Sequence, residues 1–110
     1  MKFRLDQEAS IAGSSLKGTF EAKYSDLERV FGKPIKADGY KVSGEWIFRS
    51  DEGKIFTVYD WKETSLYDPS YPTVKDFREN TMPATFHVGG QGNADEFIEA
   101  ITRRLENADS

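Results

Sequence analysis

Two runs decide the fold: Lys41-Val42-Ser43-Gly44-Glu45-Trp46-Ile47-Phe48-Arg49 and Lys54-Ile55-Phe56-Thr57-Val58-Tyr59-Asp60-Trp61-Lys62, separated by Ser50-Asp51-Glu52-Gly53. Along the first, Val42, Gly44, Trp46 and Phe48 share one face, and Glu45, Ile47 and Arg49 share the other. Along the second, Ile55, Thr57, Tyr59 and Trp61 alternate against Phe56, Val58 and Asp60. A period of two marks strands, and the polar, glycine-ended tetrad between them is turn chemistry, so the pair reads as an antiparallel hairpin. Large apolar groups on both faces put one or both strands in the interior of the sheet.

Working outward, Leu16, Gly18, Phe20 and Ala22 alternate with Lys17, Thr19, Glu21 and Lys23, a half-buried strand. Ser25 with Glu28 three residues on has capping-box spacing, opening a two-turn helix that Gly32 and Pro34 close. Residues 35 to 40 read as a connector. On the other side, Ala84, Phe86 and Val88 face one way and Thr85 and His87 the other, which makes Ala84–Val88 a last strand. Gly89-Gly90-Gln91-Gly92 then turns the chain. Asn93, with Glu96 as its box partner, caps a closing helix striped by Ala94, Phe97, Ile98, Ile101 and Leu105, with Arg103 and Arg104 near its end. The expected fold is therefore α+β: an antiparallel sheet of about four strands and two helices, in the order strand, helix, three strands, helix. Phe3 and Leu5 are able to add an edge strand.

Residues 63–83 hold Pro69, Pro72 and Pro83 with Tyr67, Tyr71 and Phe77. A structureless loop of that length is uncommon inside a compact domain. The segment reads as an ordered flap anchored by its aromatics, with Thr73 capping a helical turn over Val74–Asn80. Residues 107–110 read as a frayed tail.

Composition narrows the function classes. The chain has 110 residues, room for one domain (1–110), with 15 basic and 19 acidic side chains and a net charge of -4. Dispersed cations under a negative balance argue against a nucleic-acid groove, and the same dispersion makes a poor DNA mimic. No cysteine and one histidine leave no disulfide, no thiolate or multi-histidine metal site and no thiol nucleophile. No apolar run is long enough for a membrane span, and Met1-Lys2-Phe3-Arg4-Leu5-Asp6 lacks a signal-peptide centre, so the expected setting is the cytoplasm. No cofactor is expected.

Three constellations remain. Tyr59-Asp60-Trp61-Lys62 sets two large aromatics, a carboxylate and an ammonium where the flap begins, a composition that suits either a core strand or a binding rim shared with Tyr67, Tyr71 and His87. His87 and Asp60 would make a base and its orienter if the last strand lay beside the hairpin in register, although no residue spacing supplies a nucleophile beyond Thr64 or Ser65. Gly89, Gly90 and Gly92 form a candidate anion-binding turn at a helix start. Asp95 and Glu96 supply negative charge there already, and the turn reads more simply as a tight connection needing positive φ.

The motifs Leu27…Val30-Phe31-Gly32-Lys33-Pro34, Lys41…Glu45-Trp46, Gly53…Thr57-Val58-Tyr59-Asp60-Trp61-Lys62 and Phe86-His87-Val88-Gly89-Gly90 resemble a group of small bacteriophage-type proteins of unassigned function. The resemblance implies an accessory protein that acts in a host cell, binding and blocking a host factor or sequestering a host signalling molecule. Together with the residues, this leads to a non-enzymatic inhibitor or adaptor that occludes a host protein through Tyr59, Trp61, Lys62, Tyr67 and Tyr71, as a monomer or homodimer. The alternative is a small-ligand or nucleotide-binding protein, with the glycine turn on phosphate, Trp61 or Tyr59 on a base and Lys62 neutralising charge. A small hydrolase built on His87 and Asp60 ranks below both.

Overall fold

A computed structural model describes residues 1–35, 42–61 and 63–108. The strands are β1 (Phe3–Leu5), β2 (Ser15–Ala22), β3 (Glu45–Ser50), β4 (Ile55–Tyr59) and β5 (Ala84–Gly90), and the helices are α1 (Tyr24–Phe31), α2 (Val74–Glu79) and α3 (Asp95–Ala108). The fold is α+β, as the patterning implies. The described residues hold five strands and three helices, because Phe3 and Leu5 do form an edge strand and the capped turn in the flap becomes a helix of its own.

All five strands pair antiparallel in the order β1-β3-β4-β5-β2. The hairpin is the centre of the sheet. Its turn closes with Gly53 at φ 84, a conformation glycine adopts without strain. β3 begins at Glu45 and β4 ends at Tyr59, so both are shorter than their alternating runs. The reason is Asp60: its buried carboxylate turns out of the ladder to accept from the backbone N–H of Ser43 and Gly44.

One face of the sheet carries Phe20, Trp46, Phe48, Phe56, Val58, Phe86 and Val88, which form a single buried cluster with Tyr24, Leu27 and Phe31 of α1, Phe77 of α2 and Phe97, Ile101 and Leu105 of α3. Rings join the layers. Phe97 stacks on Phe56 at 4.7 Å and 7° between planes, Phe31 meets Phe48 edge-on at 5.0 Å, and Phe77 meets Tyr24 edge-on at 5.8 Å. The Trp46 indole N–H donates to the Gly32 carbonyl (2.8 Å), tying the end of α1 to β3.

Two terminal details differ from the sequence reading. Ser25 does not cap α1; the helix starts at Tyr24 with Lys23 at the cap and no side-chain cap bond, because the Tyr24 ring is drawn into the core. Asn107 and Ala108 belong to α3, and residues 109–110 of the expected frayed tail lie outside the described residues. The other ends follow the sequence. Gly32 takes φ 87 after α1, the Thr73 hydroxyl accepts from the Asp76 N–H (3.1 Å), and Asn93 Oδ1 accepts from the Asp95 N–H (2.8 Å).

The glycines at the end of β5 are steric requirements. A Cβ at Gly90 would sit 2.7 Å from Cδ1 of Phe56, the ring that stacks on Phe97, whereas one at Gly18 would meet only the flexible tip of Ile98 at 2.8 Å. Gly90→Ala is therefore expected to cost about 1–3 kcal/mol, since the Phe56 ring cannot move without breaking its stack. Gly18→Ala should cost less. Urea unfolding of both variants checks the order, and equal losses would contradict it.

Candidate functional site

Among the described residues the helices cover the first face of the sheet, where Trp46, Phe48 and Phe56 of the hairpin lie, and the second face carries Tyr59. In register across it run Glu45 of β3, Tyr59 of β4, His87 of β5 and Thr19 of β2. The Tyr59 ring stacks on the His87 imidazole (5.8 Å, 23°), and Trp61, just past β4, meets Tyr59 at 6.3 Å and His87 at 6.3 Å. Three of the expected site residues thus form one cluster. Trp61 is its most open member, with 37 % of its surface exposed, while Tyr59 and His87 are half-buried.

Beside this cluster on the same face, Ile47 and Thr57 are largely closed to solvent, at 4 % and 2 % exposed. In the neighbouring row Ile47, Thr57, Gly89 and Leu16 lie in register. A Cβ on Gly89 would lie 2.7 Å from the Thr57 hydroxyl and 3.7 Å from the Tyr59 ring. Gly89 is what makes room for the Thr57 hydroxyl; its approach to the Tyr59 ring is an ordinary contact.

Asp60 does not join the cluster. It is 1 % exposed, lies on the helix side, and holds the Ser43 hydroxyl at 2.8 Å, the Ser43 N–H at 3.0 Å and the Gly44 N–H at 2.9 Å. The expected Asp60–His87 acid–base couple is therefore not formed, because consecutive positions on a strand project to opposite faces. Asp60 acts instead by position: it pins the point at which the chain leaves β4, and with it the start of Trp61. Thr64, one of the two nucleophile candidates, is buried.

The glycine turn is also placed differently. Gly89 and Gly90 lie inside β5 with β4 on one side and β2 on the other, and among the described glycines positive φ occurs at Gly13, Gly32 and Gly53 only. The first two glycines are ladder positions, and the turn proper starts at Gln91. Gly92 lies against the Lys54 side chain, not against a converging set of amides.

In the flap, Tyr67 and Tyr71 pair with each other at 6.1 Å. The Ser65 N–H donates to the Pro72 carbonyl (2.7 Å), and the Asp68 carboxylate accepts from the N–H and hydroxyl of Ser70 (both 2.9 Å), which lowers its pKa. Phe77 anchors the segment in the core beside Tyr24 and Phe86. Of the flap's three aromatics, Phe77 is buried, Tyr67 is half-buried and Tyr71 is exposed. Lys62 lies outside the described residues.

Burial tunes the cluster electrostatically. It holds the His87 imidazole below its ordinary pKa, and His87 Nδ1 is buried without a hydrogen-bond partner. Burial, reinforced by the nearby Glu45 carboxylate, pushes the Tyr59 phenol upward, and burial followed by Asp60 raises Glu63. At neutral pH the three rings are accordingly uncharged. The sequence reading missed Glu45 and Thr19 as neighbours of the rings, although both sit at the right phase of alternation. It missed Ser43 and Gly44 because they were absorbed into the strand.

Among the described residues no group of three or more His, Cys, Asp or Glu is arranged to hold a metal ion, and no helix is long and apolar enough to cross a membrane. The sequence matches no protein-family model and no curated protein.

Two expectations follow. Asp60→Ala should cost about 3 kcal/mol in unfolding free energy, since it strands the N–H groups of Ser43 and Gly44; a loss under about 1 kcal/mol would refute the clamp. His87, the only imidazole, should titrate in the folded protein below its usual value near 6.5 when followed by proton NMR. The fold then binds fewer protons than the unfolded chain. The stability contributed by the neutral ring is complete above about pH 6.5 and is lost as pH falls through the lower native value, and His87→Gln should flatten that part of the stability profile.

Proposed function

We propose that this chain is a non-enzymatic binding module that captures a protein partner on the cluster of Tyr59, Trp61 and His87 and blocks the partner by occupying its surface. The partner class follows the bacteriophage resemblance: a protein of the host cell. The observation that carries the reading is the ring geometry, three aromatic side chains within 6.3 Å of one another on the side of the sheet opposite the core cluster.

The physical case rests on pre-organisation. Tyr and Trp provide large contact area, and rings already seated against a strand and against each other lose little further freedom on binding. Neutral His87 adds apolar area without a charge to desolvate. Glu45 at one end of the row, beside Tyr59, gives the patch a polar rim of the kind that surrounds binding hot spots. Exposed Tyr71 and Leu66 extend apolar surface into the flap that begins next to Trp61.

Immobilised protein exposed to a bacterial host lysate is expected to retain one host protein in stoichiometric amount. Trp61→Ala and Tyr59→Ala should each weaken its capture by about thirtyfold or more, with melting temperature unchanged for Trp61→Ala, whereas Glu52→Ala in the distant hairpin turn should bind normally. Native mass spectrometry that found a retained nucleotide in place of a protein would overturn the reading, as would full capture by Trp61→Ala.

A further inference from the structure

α1 and α2 pack against each other through the edge-on contact of Tyr24 with Phe77. Between them lies a groove of about 580 Å³, lined by Ser25, Glu28 and Arg29 of α1, Lys33 just past its end, and Lys75, Arg78 and Glu79 of α2. The groove belongs to the helix side of the sheet, away from Tyr59, Trp61 and His87. On a chain of net charge -4, four cations here face two carboxylates. Arg29 is engaged by Asp26 at 3.0 Å, whereas among the described residues Lys33, Lys75 and Arg78 are in no ion pair, neither with Glu28 or Glu79 nor with any other carboxylate.

Arg78 sets the character of the groove. Its guanidinium lies 5.2 Å over the Tyr24 ring, its Nε is buried without a hydrogen-bond partner, and the hydroxyl of Tyr24, a residue only 2 % exposed, is likewise buried and unpartnered. Burial pushes the pKa of that phenol up to about 12, so it stays a neutral donor at physiological pH. Two buried donors on stacked side chains thus lack an acceptor, and each such group is a cost to the fold. An arginine in the last turn of a helix answers the helix dipole from the surface, and that role needs neither burial nor a ring beneath the guanidinium. What the pair lacks is negative charge.

We propose that the groove between α1 and α2 binds a dianionic phosphate group, held by Arg78, Lys33 and Lys75 with the Ser25 hydroxyl as a further donor. What already lines the groove selects phosphate over carboxylate. Glu28 and Glu79 stand among the cations without pairing with them, so a carboxylate ligand would repeat what is there. A phosphate brings a charge near -2 and three strong acceptor oxygens that point in different directions, which suits donors arriving from two helices. Arg78 is fixed by the Tyr24 ring rather than by a carboxylate, so the central cation is in place before the anion arrives. The volume falls within the range of about 300–1,000 Å³ typical of small-molecule sites, so a phosphate monoester fits as well as free phosphate. The site stands independently of what the rings on the other face bind.

Nitrogen-15-labelled protein titrated at constant ionic strength with inorganic phosphate, and separately with phenyl phosphate, should show saturable shifts of the Arg78 Nε–H resonance with a dissociation constant of about 1 mM or tighter for at least one of them. Lys33→Gln and Lys75→Gln should each weaken binding by about threefold or more, and Glu79→Gln should tighten it by about the same factor, because the carboxylate opposes the anion. Lys54→Gln removes the same charge beside the hairpin turn and should leave binding unchanged, as should Trp61→Ala on the other face. Tighter binding of phenyl phosphate assigns the groove to phosphorylated molecules; binding no tighter than that of inorganic phosphate assigns it to the free ion. Shifts that do not saturate, an Arg78 resonance indifferent to both probes, or a loss with Lys54→Gln equal to that with Lys75→Gln, the mark of net charge alone, would each overturn the proposal.

Discussion

The stack of Phe56 on Phe97 is the contact on which the rest of the molecule depends. Phe56 lies on a central strand, flanked by Phe48 of β3 on one side and the bare backbone of Gly90 on the other, and Phe97 closes over it from α3. Because Gly90 has no side chain, the ring tilts across β5 and the helix reaches the sheet. Phe97 also touches Phe48 and Phe3, so one helical residue fixes β4, β3 and the β1 edge at once. With that face sealed, strand alternation leaves Thr57, Tyr59, His87 and Gly89 on the other face. The neighbouring placement of Tyr59 and His87 is thus a consequence of core packing, while Trp61 lies past the end of β4, where Asp60 fixes the exit of the chain.

Alternation also explains what was legible in the sequence and what was not. The faces of β3, β4 and β5 were readable from their period of two, but the same period assigns Leu16 to the face of Gly18 and Phe20, whereas the bulge between Leu16 and Gly18 moves it to the face of Gly89. The boundaries were not readable where a side chain competes with the ladder. Asp60 continues the alternation of its strand perfectly in sequence, yet its carboxylate prefers the three donors of Ser43 and Gly44, so β4 ends one residue earlier. Gly89 and Gly90 misled for the opposite reason. Glycine pairs ordinarily mark turns, but here they make room for Thr57 and Phe56, neighbours on another strand that the local sequence does not reveal.

The same reasoning accounts for the extra elements. β1 has only three residues and too short a pattern to be distinguished from a disordered terminus, and it is held by tertiary contacts: Phe3 packs among Phe31, Phe48 and Phe97, the Arg104 guanidinium lies 5.5 Å over its ring, and Gln7 accepts from the Ile47 N–H. α2 is short enough that its own hydrogen bonds cannot sustain it. Its Thr73 cap starts it and Phe77, inserted beside Tyr24 and Phe86, keeps it. In both cases an aromatic anchor substitutes for length.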